Sequence, residues 1–261
     1  MRPTSAARLA ASTLVGLIAL ATAGCGSSAD VPSATKRTLT VLAASSLTGT
    51  FTDLAEQFEG SHPGVQVKLV FDSSATLAQQ AVEHAPGDVL ATADQKTMDQ
   101  AKAGGGIKGD AKEFATNVIA LAVPRDNPAK ITALSDLDRH GVDYLTCVPT
   151  APCGAAAAAL LQQDHVTRKP VSQEVDVKSV LAKVESGEAD AGLVYQTDVT
   201  AAGGKVTGIA VPGAADNPNT YWVAATAGTK NAGLANEWVS YLTGAQGQAV
   251  LKTAGFGTIG G

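Results

Sequence analysis

From Thr38 onward the chain alternates short apolar runs with stretches of helical rhythm. "TLTVLAA", Thr38 to Ala44, is a β-rich run, after which Leu47, Phe51, Leu54, Ala55 and Phe58 recur at helical spacing and give one buried face. "SHPGVQVKLVFD" turns and enters a second strand, with Val65, Val67, Leu69 and Phe71 alternating. "SSATLAQQAVEH" reads as a helix and "GDVLATAD" as a third strand. This β-α-β-α-β order predicts a parallel sheet with helices on both faces. "NVIALAVP", Asn117 to Pro124, is a fourth strand, and a second alternation follows. It runs "YLTCV" strand, "GAAAAALLQQ" helix, "VDVKSVLAKVESG" helix and "AGLVYQTD" strand. "TYWVAAT" reads as a further strand, and "NAGLANEWVSYLTGAQGQAVLKTAG" as a closing helical pair. Two α/β lobes fit this pattern better than a single sheet, and no internal repeat is visible.

Composition narrows the function classes. Of 261 residues, 45 % are hydrophobic and 16 % charged, which places the chain among compact globular proteins. The net charge is −5, and no run of Lys or Arg is present, so nucleic acid is not an expected partner. Any anionic ligand must therefore be held by local donors rather than by a broad positive field.

The start of the chain reads as a targeting segment. Arg2 and Arg8 form a basic region, and Ala10 to Ala21 an apolar one too short to span a bilayer. "TAGCGSS" then resembles a lipobox with Thr22 in place of the usual Leu, which makes residues 1–24 a signal peptide and Cys25 an acylated N-terminus. A plain secretory signal with a chance cysteine is the alternative. Cleavage removes two positive charges and takes the net charge from −5 to about −7. Residues 25–37 are then a lipidated N-terminus and flexible tether. Cys147 and Cys153 remain, and an even remainder in an exported domain points to a disulfide closing a small loop. A metal site is the other reading, but no C-x-x-C occurs and His62, His84, His140 and His165 lack ligand spacing.

Gly104, Gly106 and Gly109 satisfy G-x-G-x-x-G, but a helix ("QKTMDQAKA") precedes them where a dinucleotide fingerprint needs a strand. They are expected to end that helix and turn the chain. More informative are two junctions of one design, apolar strand, paired serines, helix: "VLAASSLTGTF" with Ser45 and Ser46, and "LVFDSSATLAQQ" with Ser73 and Ser74. Either pair alone reads as a helix N-cap. Two of them at the carboxyl ends of adjacent parallel strands would bring free N–H groups and hydroxyls to one crevice, a place for an oxyanion without Lys or Arg. A serine nucleophile would need a base, and neither G-x-S-x-G nor S-x-x-K occurs at these serines, so no enzyme is expected.

"TVLAASSLTGTFTDLA", "FDSSATLAQQ", "GDVLATADQKTMD" and "VDVKSVLAKVESGEADAGLVYQTD", taken in order, resemble blocks of the substrate-binding proteins of molybdate ABC transporters. The resemblance runs from about Leu39 to "GFGTI". It implies a two-lobed periplasmic-binding-protein fold of type II, with parallel-rich sheets, flanking helices and an interlobe cleft. The lobes would be residues 38–119 with 221–261, and residues 120–220. Matched block by block, it implies hydroxyl ligands at Ser46 and Ser74, backbone donors at Cys153 and Val177, and the Tyr195 hydroxyl. The ligand would be molybdate or tungstate, with molybdenum present only in that form and no cofactor; sulfate or phosphate is the alternative. A membrane permease is the implied partner of a monomeric lipoprotein on the outer face of the cytoplasmic membrane. Cys153 stands where the family has a small apolar residue, and its pairing with Cys147 would hold the loop. Without the resemblance, Tyr195 would read as readily as a core aromatic, while Asp88 and Asp94 are expected to set turns and caps.

Overall fold

The computed structural model describes residues 37–259. The expected signal peptide, Cys25 and the tether as far as Lys36 lie outside the described residues; Arg37, expected to end the tether, opens the first strand.

In chain order, β1 (Arg37–Ala44), a 3-10 turn (Ser45–Leu47), α1 (Thr48–Ser61), β2 (Val65–Asp72), α2 (Ser74–Val82), β3 (Val89–Thr92) and α3 (Gln95–Ala103) form the first alternation. β4 (Ile107–Asn117) and β5 (Ile119–Pro124) follow, then β6 (Tyr144–Cys147), α4 (Pro152–Gln163), β7 (Ser172–Glu174) and α5 (Val177–Glu185). β8 (Ala191–Tyr195), α6 (Gln196–Ala201), β9 (Val206–Ala210) and β10 (Asn219–Thr226) precede the closing α7 (Ala232–Thr243), α8 (Ala245–Thr253) and β11 (Gly257–Thr258).

Two sheets result, ordered β11-β4-β10-β3-β1-β2 and β7-β6-β8-β5-β9. In the first, β1 runs parallel to β2 and β3, and β10 is antiparallel to β3 and β4. In the second, β6 is parallel to β7 and β8, and β5 is antiparallel to β8 and β9. The chain passes between sheets at Val118 and again over residues 211–218.

The apolar run in β1 is central and buried on both faces. Val41 and Ala43 join one apolar layer, while Leu42 joins another with Leu77, Ala78 and Ala81 of α2 and Met98 and Ala101 of α3. Opposite, Phe51 and Phe58 of α1 meet Trp238 of α7 edge-on, with ring centroids 5.8 and 5.2 Å apart. Those edge-to-face contacts add to the area each ring buries, and they explain why the stripe from Leu47 to Phe58 commits to a helix.

Two expectations change. "NVIALAVP" is not one strand: Asn117 ends β4 and Ile119 begins β5, in different sheets. The long β4 carries mostly half-buried or exposed positions over "IKGDAKE", so it lacks the apolar alternation that would announce it. "QTD" does not continue β8 but starts α6. Of the three glycines with the dinucleotide spacing, Gly104 caps α3; Gly105 beside it turns the chain at φ 77°, a conformation that costs glycine little.

Asp88 holds the first sheet together away from the cleft. Its carboxylate accepts from the Thr40 N–H at 2.8 Å, the Thr229 hydroxyl at 2.6 Å and the Asn231 amide at 3.2 Å, tying β1 to the loop before α7. Asp88→Ala strands these donors, each costing about 1–3 kcal/mol when buried, and is expected to lower unfolding free energy in urea by about 2–4 kcal/mol. Asp88→Asn should lie between that variant and the parent.

Candidate functional site

Six strands, β1, β2, β3, β6, β7 and β8, end at a common place between the two sheets. The carboxyl ends of strands are where open α/β sheets bind ligands, because helix N-termini and chain turns converge there. A small cavity of about 10 Å³ lies at that point. Ser46, Ser74, Cys153, Val177 and Tyr195 all line it, together with Ser45, Ser73 and Asp176. No Lys or Arg is among its lining residues.

Ser73 stands at the N-cap of α2, but the serines make no side-chain cap hydrogen bonds. Neither Ala44 before the 3-10 turn nor Ser73 before α2 makes a side-chain cap hydrogen bond. The Ser74 hydroxyl accepts from the Ala93 N–H at 3.0 Å instead, and Ser46 pairs with the Tyr221 hydroxyl at 2.9 Å. A hydroxyl oxygen that already accepts keeps its own hydrogen for another partner.

The second sheet supplies donors of a different kind. Val177 is the first residue of α5, and Cys153 follows Pro152 at the start of α4. Backbone N–H groups in a first turn have no intrahelical acceptor. Asp176 caps α5 by accepting from the N–H groups of Lys178 at 2.8 Å and Ser179 at 3.0 Å, which occupies the next two donors and leaves that of Val177. Cys153 is joined to Cys147 at the end of β6, with their Cα atoms 5.8 Å apart. Next to it, a Cβ on Gly154 would collide with the carbonyl oxygens of Val148 and Cys147, so only glycine lets α4 begin flush against that strand end.

Tyr195 closes the cavity. It is fully buried, and its hydroxyl has no hydrogen-bond partner among the described residues. Desolvation, reinforced by the nearby Tyr221, Asp94 and Asp198, pushes its pKa well above the usual phenol value, so it stays a neutral donor. Its backbone is pinned: the Tyr195 N–H donates to Asp198 Oδ2 at 3.1 Å, and Asp198 Oδ1 pairs with Lys178 Nζ at 2.9 Å. Burial raises the Asp198 pKa, and the Lys178 charge opposes that rise. Asp94, as expected, caps α3 by accepting from the Thr97 N–H at 2.9 Å.

Sequence reasoning missed the residues behind the cavity. Tyr221 sits in "TYWVAAT", where it reads as a strand aromatic, and Asn117, Lys178 and Asp198 carry no motif at all. Only the cap at Asp176 leaves a readable trace, an Asp three residues before Ser at a helix start.

Lys178→Met leaves Asp198 buried without its counter-charge, and is expected to cost about 3–5 kcal/mol in chemical denaturation. Adding Asp198→Asn should recover a good part of that loss.

Comparison with known proteins agrees with this architecture. Residues 39–257 match the family described as bacterial extracellular solute-binding protein. The molybdate-binding protein ModA of Mycobacterium tuberculosis is 37% identical over 248 residues, covering 95% of each chain. The periplasmic molybdate-binding protein of Azotobacter vinelandii superposes with a TM-score of 0.73 at 24% identity, over 84% of this chain and 98% of that one. The sulfate-binding protein SubI of M. tuberculosis gives 0.75 at 18% identity, over 86% and 88%. At those identities the two structures establish the two-lobed fold alone. With the family matched over nearly all of the described residues, the chain belongs to the bacterial extracellular solute-binding proteins.

Proposed function

We propose that this protein captures molybdate, and tungstate by the same chemistry, in the cavity between its sheets, and delivers it to an ABC importer. One observation carries the reading: the buried Tyr195 hydroxyl, without an acceptor, faces a cavity into which four further uncharged donors open. Leaving a buried hydroxyl unpaired costs about 1–3 kcal/mol, a cost that an oxyanion oxygen would remove. Ser46 and Ser74 supply hydroxyls from one side; Cys153, Val177 and Tyr195 supply two N–H groups and a phenol from the other. The 37% identical relative named for molybdate binding favours that ion over sulfate, whose binding protein shares the fold at 18% identity.

The physics follows from the donors. A tetrahedral dianion loses hydration in a closed site, which is expensive. Hydrogen bonds to a charged acceptor offset this at about 1.5–3 kcal/mol each. Donors split between residues 38–119 with 221–261 and residues 120–220, taken as two lobes, reach one ion together only when the cleft is shut. Closure is then driven by differential affinity for the closed state, and the closed form is what a permease would receive. Anchoring through lipid on Cys25 after loss of residues 1–24 would keep the protein, as a monomer, at the outer face of the cytoplasmic membrane. The role is capture, as the matched family of extracellular solute-binding proteins supports.

A ligand that binds only the folded form raises stability by about 4 kcal/mol at a thousandfold excess over Kd. Thermal midpoints with molybdate, tungstate, sulfate and phosphate should therefore rise for the first two and stay near the free protein for the others. Ser46→Ala and Ser74→Ala are each expected to weaken molybdate binding by about 1–3 kcal/mol in calorimetry. Tyr195→Phe should weaken it similarly while leaving the unliganded protein as stable as the parent or more so, because the orphaned hydroxyl is gone. The Cys147→Ser, Cys153→Ser double variant should lose affinity through a less constrained Cys153 N–H; unchanged affinity would separate the disulfide from the site.

A further inference from the structure

A serine hydroxyl can donate or accept, and nothing in Ser46 itself decides which it offers to the cavity. The decision is made behind it. Asn117, buried at the end of β4, accepts from the Val118 N–H through Oδ1 at 3.0 Å, and this orients its amide. Its Nδ2 then donates to the Thr197 hydroxyl at 2.7 Å and, more weakly, to the Tyr221 hydroxyl at 3.4 Å. A phenol oxygen that accepts from Asn117 has its own hydrogen for Ser46, 2.9 Å away. With that hydrogen directed to it, Ser46 would accept and keep its own hydrogen for the cavity.

We propose that Tyr221 and Asn117 are positioning residues: through a hydrogen-bond chain running Asn117 to Tyr221 to Ser46, they favour Ser46 as a donor to the cavity. The first link of the chain is fixed because Asn117 Oδ1 is occupied by a backbone N–H that cannot reverse. Ser74 reaches the same state by a shorter route, since the Ala93 N–H it accepts from is equally irreversible. The two hydroxyls of the first sheet therefore enter the cavity with the polarity a fully deprotonated oxyanion requires. The chain also joins the sheets, since Thr197 lies on α6 beside the second sheet and Tyr221 on β10 in the first.

This rests on the oxyanion reading above, and a double-mutant cycle separates the two. Calorimetric titration with sodium molybdate would be run on the parent, Tyr221→Phe, Ser46→Ala and the double variant, each checked for an unchanged thermal midpoint without ligand. Tyr221→Phe is expected to weaken binding about tenfold in the parent background, the size of one hydrogen bond, and less than about twofold once Ser46 is alanine. Asn117→Asp places an acceptor opposite Tyr221 and reverses the chain; its cost should likewise be larger with Ser46 present than with alanine there. The long-range repulsion from the new carboxylate acts equally in both backgrounds and drops out of the comparison. Equal factors in both backgrounds, for either variant, would overturn the positioning role while leaving the site intact. Absence of heat from the parent protein would overturn the oxyanion reading itself.

Discussion

The structure depends on one unmet demand: hydrogen-bond donors buried at the carboxyl ends of strands from two sheets, turned toward a space none of the protein's own acceptors fills. Tyr195 states it most plainly, with a hydroxyl removed from water and no hydrogen-bond partner among the described residues. Folded proteins pair nearly all such groups, so an orphan among convergent donors is what the proposed oxyanion would complete. The first-turn N–H groups of α4 and α5 add to the same deficit for a geometric reason, since a helix cannot satisfy its own N-terminus.

Keeping those donors in place requires rigid supports, and the supports are polar networks set one layer back. Asp176 caps α5 with its side chain and so decides which N–H remains available. The Lys178–Asp198 pair fixes the backbone of Tyr195, and the Cys147–Cys153 bridge with Gly154 seats α4 against β6. Burying these groups is costly unless each is paired, which makes the supports sensitive to single substitutions. The same networks bridge the sheets, through Asn117 to Thr197 on one side and Tyr221 on the other.

The electrostatic design avoids cations. Without Lys or Arg in the lining, attraction to an anion comes from oriented dipoles, which recognise geometry and protonation state more than charge alone. The nearest carboxylates are occupied: Asp94 and Asp176 in helix caps, Asp198 with Lys178 and a backbone N–H. Tyr195 and Tyr221 are both pushed up in pKa by desolvation and remain donors at neutral pH.

The β-α-β alternation, the apolar stripe of α1 and the serine junctions were legible in the residues, because each is a local pattern with a period or a spacing. So was the placement of both serine pairs at strand ends. The tyrosine closing "GLVY" was singled out only by the family resemblance. The half-exposed β4, the change of sheet at Val118, and the short β7 and β9 were not, since a strand with one wet face or three residues has little apolar signal to read. The serines do not make the cap hydrogen bonds expected of them, for a related reason. What Ser46 and Ser74 bond to lies 175 and 19 positions away, and only the packed sheets bring Tyr221 and Ala93 within reach. Local pattern determined where hydroxyls would stand; which groups they bond to was decided by neighbours that exist only in three dimensions.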